Sequence, residues 1–368
     1  MVGFVGLYGL SLDRRLKRLA RCSIRAEDED GNGSDDGLPA AWPMLNRHIP
    51  GDLTVRTIAA NGEVSCRVVT ATGLVNAAAS VQKTSPVASA ALGRAMICGL
   101  LLSAGKKEGE TVQLELRGDG PLKTTVAISN GRGEVRGYVG DPSVVLPPNS
   151  EGHLDVGKAV GRGILAVVRN HPMWKNPYTG LTTIVSGEVA EDVASYLADS
   201  EQTPSALGAG VLVDKKGEVM AAGGFLVSML PGATEDSTRI VEENVQSLKM
   251  TPTELIRSGM SATDIIGKLM KDLDPLELRP LRILWGERLL TEEALNGLKT
   301  LQVAESYPKY YCSCGRERVR RTVVLLGRKD IEDLIAEQGH VEATCEFCKR
   351  CYRLSPEEAI EALNAAAL

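Results

Sequence analysis

The chain has 368 residues, enough for about two or three domains, and its 43% apolar and 24% charged content is ordinary for a soluble globular protein. A net charge of −5 and only 4% aromatic residues give no reason to expect a nucleic acid as partner. The longest apolar run, residues 95–104, falls short of the roughly 20 residues that span a bilayer, so we predict a buried helix there and no membrane partner.

The first 25 residues are basic and amphipathic. They contain six Lys or Arg residues against one acidic residue, Asp13. Leucines recur among them at helical spacing: Leu12, Leu16 and Leu19. This composition is typical of an organelle transit peptide, and a disordered basic tail is the alternative. Residues 27–36 are acidic and contain glycine, so we interpret residues 1–50 as a transit-like, disordered extension.

Residues 51–234 are predicted to form a mixed α/β core with β-meander sheets. Alternation of apolar and polar residues predicts a half-buried strand at 64–68, and the Ala- and Leu-rich stretch 86–104 predicts a helix. Three short alternating segments separated by Gly-rich turns predict a meander at 112–116, 124–129 and 134–139.

The rest of the core is predicted to contain a second helix and a hairpin. The helix spans residues 187–202, with Ser186 as its cap, and the hairpin joins residues 211–214 to 218–222. The pattern then becomes charged and helical to about residue 301, which predicts a helical linker over residues 235–306. Within this linker, capping residues place helix starts at Thr251 and Ser261.

No residue pattern indicates an enzyme. Walker-type phosphate loops and Gly-x-Ser-x-Gly elbows are absent, and the four histidines belong to no motif. Four carboxylates on the predicted helix are interpreted as a solvated face and as partners of the helix dipole rather than as an acid/base pair: Glu188, Glu191, Asp192 and Glu201. The isolated Cys66 and Cys98 are interpreted as buried apolar residues rather than reactive thiols.

Four cysteines near the C-terminus form two close pairs. Cys312 and Cys314 are separated by one residue, Cys345 and Cys348 by two, and 30 residues lie between the pairs. Two chelating pairs joined by a folded spacer are typical of a Cys₄ zinc site. We therefore predict a small C-terminal zinc-binding domain at residues 307–368, which completes an α+β fold class with core, linker and zinc domain.

The predicted zinc site has consequences for folding and for redox chemistry. A segment of some sixty residues has at most about 3–9 kcal/mol of stability by per-residue scaling, whereas a structural zinc supplies about 10–16 kcal/mol. Loss of the metal should therefore unfold the segment, and oxidation removes the ligands. Four arginines after the first pair either stabilise thiolate charge or form a solvated basic face: Arg316, Arg318, Arg320 and Arg321.

The cysteine pairs and several longer motifs resemble the heat-shock protein 33 family of redox-regulated chaperones. Around the first pair, residues 314–319 read Cys-Gly-Arg-Glu-Arg-Val. Upstream, residues 185–192 read Val-Ser-Gly-Glu-Val-Ala-Glu-Asp, and residues 200–205 read Ser-Glu-Gln-Thr-Pro-Ser. Residues 222–226, Ala-Gly-Gly-Phe-Leu, match a further stretch, and the resemblance extends from about residue 53 to 354.

The resemblance implies an ATP-independent holdase that is inactive when reduced and zinc-bound. Under oxidative stress two disulfides form, zinc leaves, and the zinc domain and linker unfold and expose apolar surface to unfolding client proteins. Active forms of the family tend to dimerise. Carried over to this chain, the zinc ligands are Cys312, Cys314, Cys345 and Cys348. Pairing of neighbours would give Cys312–Cys314 and Cys345–Cys348, although four cysteines allow three pairings.

Three features depart from the family pattern. Cys351 adds a fifth thiol that could compete as ligand or resolving thiol, and the stretch 283–307 is longer than usual. The N-terminal extension suggests the plastid stroma, with the cytoplasm as the alternative.

Two other functions are weighed against the chaperone: a zinc-ribbon module that binds nucleic acid, favoured by the local arginines, and a thiol–disulfide oxidoreductase, which the meander pattern disfavours.

Overall fold

The computed structural model describes residues 10–11, 46–59, 61–273, 288–289 and 304–366. Apart from residues 10–11, the predictions for the N-terminal extension up to residue 45 lie outside this part of the chain. The chain divides into two compact units, Met44–Tyr311 and Cys312–Leu368 with Met1–Pro43. The larger unit thus contains both the predicted core and the predicted linker.

The described residues form strands and helices in the following order. The strands are β1 (Leu10–Ser11), β2 (Leu53–Ile58), β3 (Val64–Thr70), β4 (Thr111–Gly118), β5 (Thr124–Asn130), β6 (Glu134–Val139), β7 (Gly163–Asn170), β8 (Tyr178–Thr183), β9 (Ser205–Val213), β10 (Val219–Met229), β11 (Arg288–Leu289), β12 (Ala304–Ser306), β13 (Lys309–Tyr310), β14 (Val341–Cys345) and β15 (Cys351–Leu354). The helices are α1 (Thr72–Gln82), α2 (Pro86–Ser103), α3 (Val156–Val160), α4 (Ala190–Asp199), α5 (Glu235–Ser247), α6 (Pro252–Arg257), α7 (Ala262–Leu269), α8 (Arg316–Val323), α9 (Arg328–Gln338) and α10 (Pro356–Ala366).

The larger unit contains two six-stranded sheets. The first sheet has the order β11-β12-β2-β3-β10-β9, and the second has the order β13-β6-β5-β4-β7-β8. Neighbouring strands are antiparallel except β13, which pairs with β6 in parallel. The predicted strand at 64–68 lies in β3, and the predicted meander is confirmed as β4, β5 and β6. The α+β class is confirmed as well.

Helix α2 lies between the two sheets. It packs against β4, β5 and β6 on one side and β9 and β10 on the other, so it is apolar on all its faces. Ser85 caps it by accepting a hydrogen bond from the Ala88 amide at 3.4 Å, and Pro86 occupies its first position. By length and composition α2 could cross a membrane, but 89% of it is buried inside the protein, as in the core helix of a globular domain.

The three linker helices α5, α6 and α7 pack on the outer face of the first sheet. Their starts at Thr251 and Ser261 are confirmed: each side chain forms a reciprocal capping box, with Glu254 and Asp264 respectively. We call the buried apolar contact between sheet and helices the linker cluster. It comprises Val55, Ala59, Val64, Cys66, Val68, Phe225 and Val227 from the sheet side and Val241, Leu255, Ala262, Ile265, Ile266, Leu269, Met270 and Leu273 from the linker.

The linker differs from its prediction beyond residue 273. Strand β11 at 288–289 pairs with β12, and β12 pairs with β2, so this part of the stretch 283–307 extends the first sheet. The remaining residues between 274 and 303, where a helical pattern was predicted, lie outside the described residues. Strand pairing with β2 lies beyond the reach of a local sequence pattern because it depends on a segment some 250 residues away in the chain.

The predicted helix at 187–202 is shorter in the structure and begins at Ala190. Val189 has a φ of 68°, and the Ala190 amide donates to the Glu188 carbonyl at 2.8 Å, so the chain makes a tight turn where the helix was expected. Ser186 is therefore not the cap. The Asp192 carboxylate accepts hydrogen bonds from the amides of Val185, Ser186 and Val189 and holds this turn together.

The carboxylates of this region do not form the predicted solvated face. Asp192 is fully buried, Glu188 pairs with Arg94 of α2, and Glu201 pairs with Arg169 and accepts a hydrogen bond from Tyr196. The solvated-face prediction was wrong for these three because the helix is shorter than predicted: Glu188 and Glu201 lie outside α4 and form ion pairs, and Asp192 turns into the protein. Glu191 and Asp192 lie in the first turn of α4, as expected of partners of the helix dipole. Glu191 is exposed as predicted.

The smaller unit contains the three-stranded sheet β1-β14-β15 and the helices α8, α9 and α10. Helix α9 spans Arg328–Gln338, and α10 begins directly after Ser355, whose hydroxyl accepts a hydrogen bond from the Glu358 amide at 3.3 Å. Two ion pairs join α8 to α10: Arg316 with Glu358 at 2.6 Å and Arg320 with Glu361 at 2.7 Å. These two arginines thus serve contacts between helices.

Candidate metal centre

Two loops of the smaller unit position the four predicted ligands. Cys312 and Cys314 lie just before α8, whose helix begins after Gly315. Cys345 ends β14, and Cys348 lies in the turn that leads to β15. In that turn the Lys349 amide donates to the Cys345 carbonyl at 2.8 Å, and Lys349 has a φ of 57°, so the chain reverses sharply around the second pair.

The structure brings the four sulfurs together. All four Sγ atoms lie within 4.8 Å of one another. Cys312 Sγ lies 3.7 Å from Cys345 Sγ, and Cys314 Sγ lies 3.2 Å from Cys348 Sγ. Four sulfurs at about 2.3 Å from a tetrahedral zinc would lie about 3.8 Å apart, so these distances and the all-thiol donor set fit a structural zinc site.

The thiols of the cluster differ in burial and in acidity. Cys345 and Cys348 are buried, whereas Cys312 and Cys314 are half-buried. Hydrogen bonds from the neighbouring thiols lower the pKa of Cys314, and a hydrogen bond from Cys312 lowers the pKa of Cys345 to about 7. The same shared protons raise the pKa of Cys312 and Cys348. The cluster therefore holds thiolates readily, which metal binding and reaction with oxidants both require.

A fifth side chain contacts the cluster, and it was missed in the sequence. The Tyr352 hydroxyl donates a hydrogen bond to Cys314 Sγ over 3.0 Å, and Tyr352 is buried in β15. The residue lies 38 positions after Cys314, and only the pairing of β14 with β15 turns it toward the first cysteine pair. A tyrosine four residues after Cys348 carries no motif that would have marked it.

The other described cysteines lie outside the cluster. Burial raises the pKa of Cys66 and of Cys98 to about 12, which confirms the interpretation of both as buried apolar residues. Cys66 lies in the linker cluster, and Cys98 lies in α2. Cys351 is half-buried and hydrogen-bonds to the Glu342 carboxylate, so it does not join the four-sulfur group in this structure.

The fold and this site together define a protein with an α+β core and a separate four-thiol unit suited to a structural metal. The family model described as Hsp33 protein matches residues 52–355 of the chain. The chain therefore belongs to the Hsp33 family, as the motifs predicted, and the family supports a chaperone function.

Individual relatives agree with this assignment. The 33 kDa chaperonin of Desulforamulus reducens is 37% identical over 308 residues, which cover 83% of this chain and 95% of that protein. The 33 kDa chaperonin of Thermoanaerobacter sp. is 36% identical over 317 residues, covering 86% and 99%. The crystal structure of the 33 kDa chaperonin from Thermotoga maritima matches with a TM-score of 0.73 and 31% identity, covering 86% of this chain and 99% of that one. These relatives are named chaperonins and not enzymes.

Proposed function

We propose that the protein is a redox-regulated, ATP-independent holdase chaperone that is inactive when reduced and zinc-bound. Oxidation of the four thiols releases zinc, unfolds the C-terminal unit and the linker, and exposes apolar surface that binds unfolding client proteins. The observation that carries the proposal is the linker cluster, in which an apolar sheet face is covered by three short helices.

The covered surface is suited to binding exposed apolar segments of other proteins. On the first sheet, Val55, Val64, Val68 and Val227 are at most 1% exposed while the linker helices are in place. Departure of the helices would uncover a contiguous row of valines on β2, β3 and β10. Large exposed apolar patches of this kind are typical of protein-binding surfaces.

The helices that cover this surface are suited to leaving it. They have 13, 6 and 8 residues, lengths at which an isolated helix is marginal in water, so their order depends on packing against the sheet. Asn244 of α5 donates hydrogen bonds to the carbonyls of Leu269 at 3.1 Å and Lys271 at 2.6 Å. The first and last linker helices are therefore tied together, which favours release as one unit.

Zinc, when bound, holds the four sulfurs as thiolates and supplies folding free energy to the unit. Cys312, Cys314, Cys345 and Cys348 are the proposed ligands. Each disulfide forms from two thiolates, which give two electrons to one molecule of hydrogen peroxide; with two protons from the solvent the peroxide becomes two molecules of water. Two peroxides thus convert four thiolates into two disulfides, and no ligand remains for the metal.

Further parts of the proposal concern partners and location. The partners are unfolded or oxidatively damaged proteins, and the oxidised form is proposed to be a homodimer. The relatives named above are bacterial, which favours the cytoplasm and gives no support to a plastid location. The alternative of a zinc ribbon that binds nucleic acid is disfavoured. It was supported by the arginines after the first cysteine pair, and two of these, Arg316 and Arg320, pair with acidic side chains of α10.

The proposal is tested with the full chain, loaded with zinc and fully reduced, before and after treatment with hydrogen peroxide. Zinc release, thiol count and suppression of aggregation of a heat-unfolding client are followed together without ATP. We expect loss of four thiols, release of one zinc and the appearance of holdase activity in the same time course. Equal suppression by the reduced protein would rule out the switch.

A first prediction concerns the packing of α6 against strand β9 of the first sheet. A Cβ at Gly210 of β9 would lie 2.8 Å from Thr253 Cγ2 of α6, with no other residue among its three nearest atoms. Gly210→Ala should therefore weaken the packing of α6 by about 1–3 kcal/mol, the usual cost of overpacking, and activate the protein at a lower peroxide dose. Hydrogen exchange at the α6 amides measures the effect.

Thr253→Ala provides the matched rescue, because it removes the Cγ2 atom that the new methyl group meets. The double variant Gly210→Ala with Thr253→Ala should regain protection of the α6 amides, and the coupling energy of the double-mutant cycle should be favourable. If the α6 amides exchange as fast in the double variant as in Gly210→Ala alone, the Gly210 substitution disturbs β9 itself and not only the contact with Thr253.

A further inference from the structure

We propose that Tyr352 is a positioning residue that slows the reaction of Cys314 with oxidants, because its hydroxyl donates a hydrogen bond to the Cys314 sulfur. The consequence for chaperone activation rests on the proposed function above. The hydrogen bond and its effect on the sulfur do not, since both concern the thiol unit without any client.

The geometry singles out one of the four sulfurs. The Tyr352 hydroxyl lies 3.0 Å from Cys314 Sγ, within hydrogen-bond range for sulfur, and the tyrosine is only 8% exposed. The pairing of Ala343 with Tyr352 and of Thr344 with Cys351 sets the position of the ring. Because Tyr352 is buried and strand pairing fixes its backbone, its hydroxyl is held beside Cys314.

The hydrogen bond acts on the electron pair that oxidation uses. In the first step the Cys314 sulfur attacks one oxygen of hydrogen peroxide, the O–O bond breaks, and a sulfenic acid and a hydroxide ion form. A second cysteine thiolate then attacks the sulfenic sulfur, so that an S–S bond forms, the S–O bond breaks and a second hydroxide ion leaves; both hydroxide ions take protons from the solvent and become water. As a zinc ligand Cys314 would already be a thiolate, so a hydrogen-bond donor cannot speed its oxidation by raising the thiolate fraction. The donor instead draws on the lone pairs of the sulfur and makes the first attack slower.

The hydrogen bond also makes the four sulfurs unequal. Cys314 is only half-buried, so an oxidant reaches it more readily than the buried Cys345 and Cys348. The tyrosine hydroxyl thus restrains one of the accessible sulfurs. We infer that Tyr352 raises the dose of oxidant that the site tolerates before zinc is lost.

The test compares the zinc-loaded full chain with its Tyr352→Phe variant, which keeps the ring and removes the hydroxyl. Peroxide reacts in the presence of a sulfenic acid trap, and mass spectrometry gives the initial rate at each cysteine. We expect Cys314 to react on the order of tenfold faster in the variant, the scale of one hydrogen bond to a charged group. The rates at Cys345 and Cys348 should stay within about twofold before zinc is lost.

Tyr196→Phe is the matched control in the larger unit. The Tyr196 hydroxyl donates to the Glu201 carboxylate over 2.8 Å and the residue is fully buried, so the variant loses a similar hydrogen bond to a charged acceptor, far along the chain from the four cysteines. This control should leave all four cysteine rates unchanged. Acceleration of all four cysteines alike in Tyr352→Phe would indicate loosening of the unit and overturn the proposal, as would an unchanged rate at Cys314. Both outcomes are read from the reaction rates of the cysteines, so they do not depend on whether the oxidised protein binds clients.

Discussion

Removal of zinc from the reduced protein is expected to unfold the Cys312–Leu368 unit while the strands β2 to β10 stay folded. By per-residue scaling a unit of this size has at most about 3–9 kcal/mol of its own stability, whereas a structural zinc contributes about 10–16 kcal/mol. Chelation should therefore abolish hydrogen-exchange protection in α8, α9 and α10. The strands β4 and β5 should keep their protection, because they belong to the other compact unit.

Two serine variants sharpen this test. Cys345→Ser removes a ligand from the four-sulfur group and should leave the unit unfolded even with zinc present, since a buried serine cannot replace the thiolate. Cys351→Ser removes a thiol that lies outside the group and should bind one zinc and stay folded. Full protection of α8 to α10 in metal-free protein would contradict the prediction.

Leu269→Asp is expected to release the linker without oxidation. Leu269 is fully buried in the linker cluster, and a carboxylate there would lose its hydration without a partner. The cost of burying it is on the order of 3 kcal/mol or more, a large share of what holds three short helices on the sheet. The reduced, zinc-loaded variant should therefore suppress client aggregation to nearly the extent of the oxidised wild type.

Two buried cysteines report whether the linker alone has moved. Cys66 lies on the sheet face under the linker, whereas Cys98 lies in α2 between the sheets. In Leu269→Asp we expect a thiol reagent to alkylate Cys66 at least tenfold faster while Cys98 stays protected. Lys268→Asp places the same side chain at the exposed neighbouring position and should leave both rates unchanged. Equal acceleration at Cys66 and Cys98 would mean global unfolding and would contradict linker release.

A reaction at four sulfurs is expected to change an apolar surface elsewhere in the chain. The linker and the thiol unit are each marginal by themselves, the first for lack of helix length and the second for lack of core. In the proposed mechanism both depend on one stabilising set of contacts, the sheet in one case and the metal in the other. Removal of either set should therefore have an effect far larger than that of an average substitution.

Much of the fold could be predicted because its signals are local. The capping boxes at Thr251 and Ser261 and the alternation in β4 to β6 involve residues within a few positions of one another. The start of α4, directly after Val189, could not be predicted from such local signals. Its true start depends on a turn held by the buried Asp192 carboxylate, and burial is a property of the packed chain.

By itself the sequence determined the family, and it predicted the four-thiol set and the order of core, linker and thiol unit, because each of these depends on residue identity and spacing along the chain. Only the tertiary structure decided that the linker covers the valine face of β2, β3 and β10 and that Tyr352 touches Cys314. Those contacts join residues that lie from tens to about 200 positions apart in the chain. Their partners are chosen by strand pairing and by burial of apolar surface, neither of which a local pattern specifies.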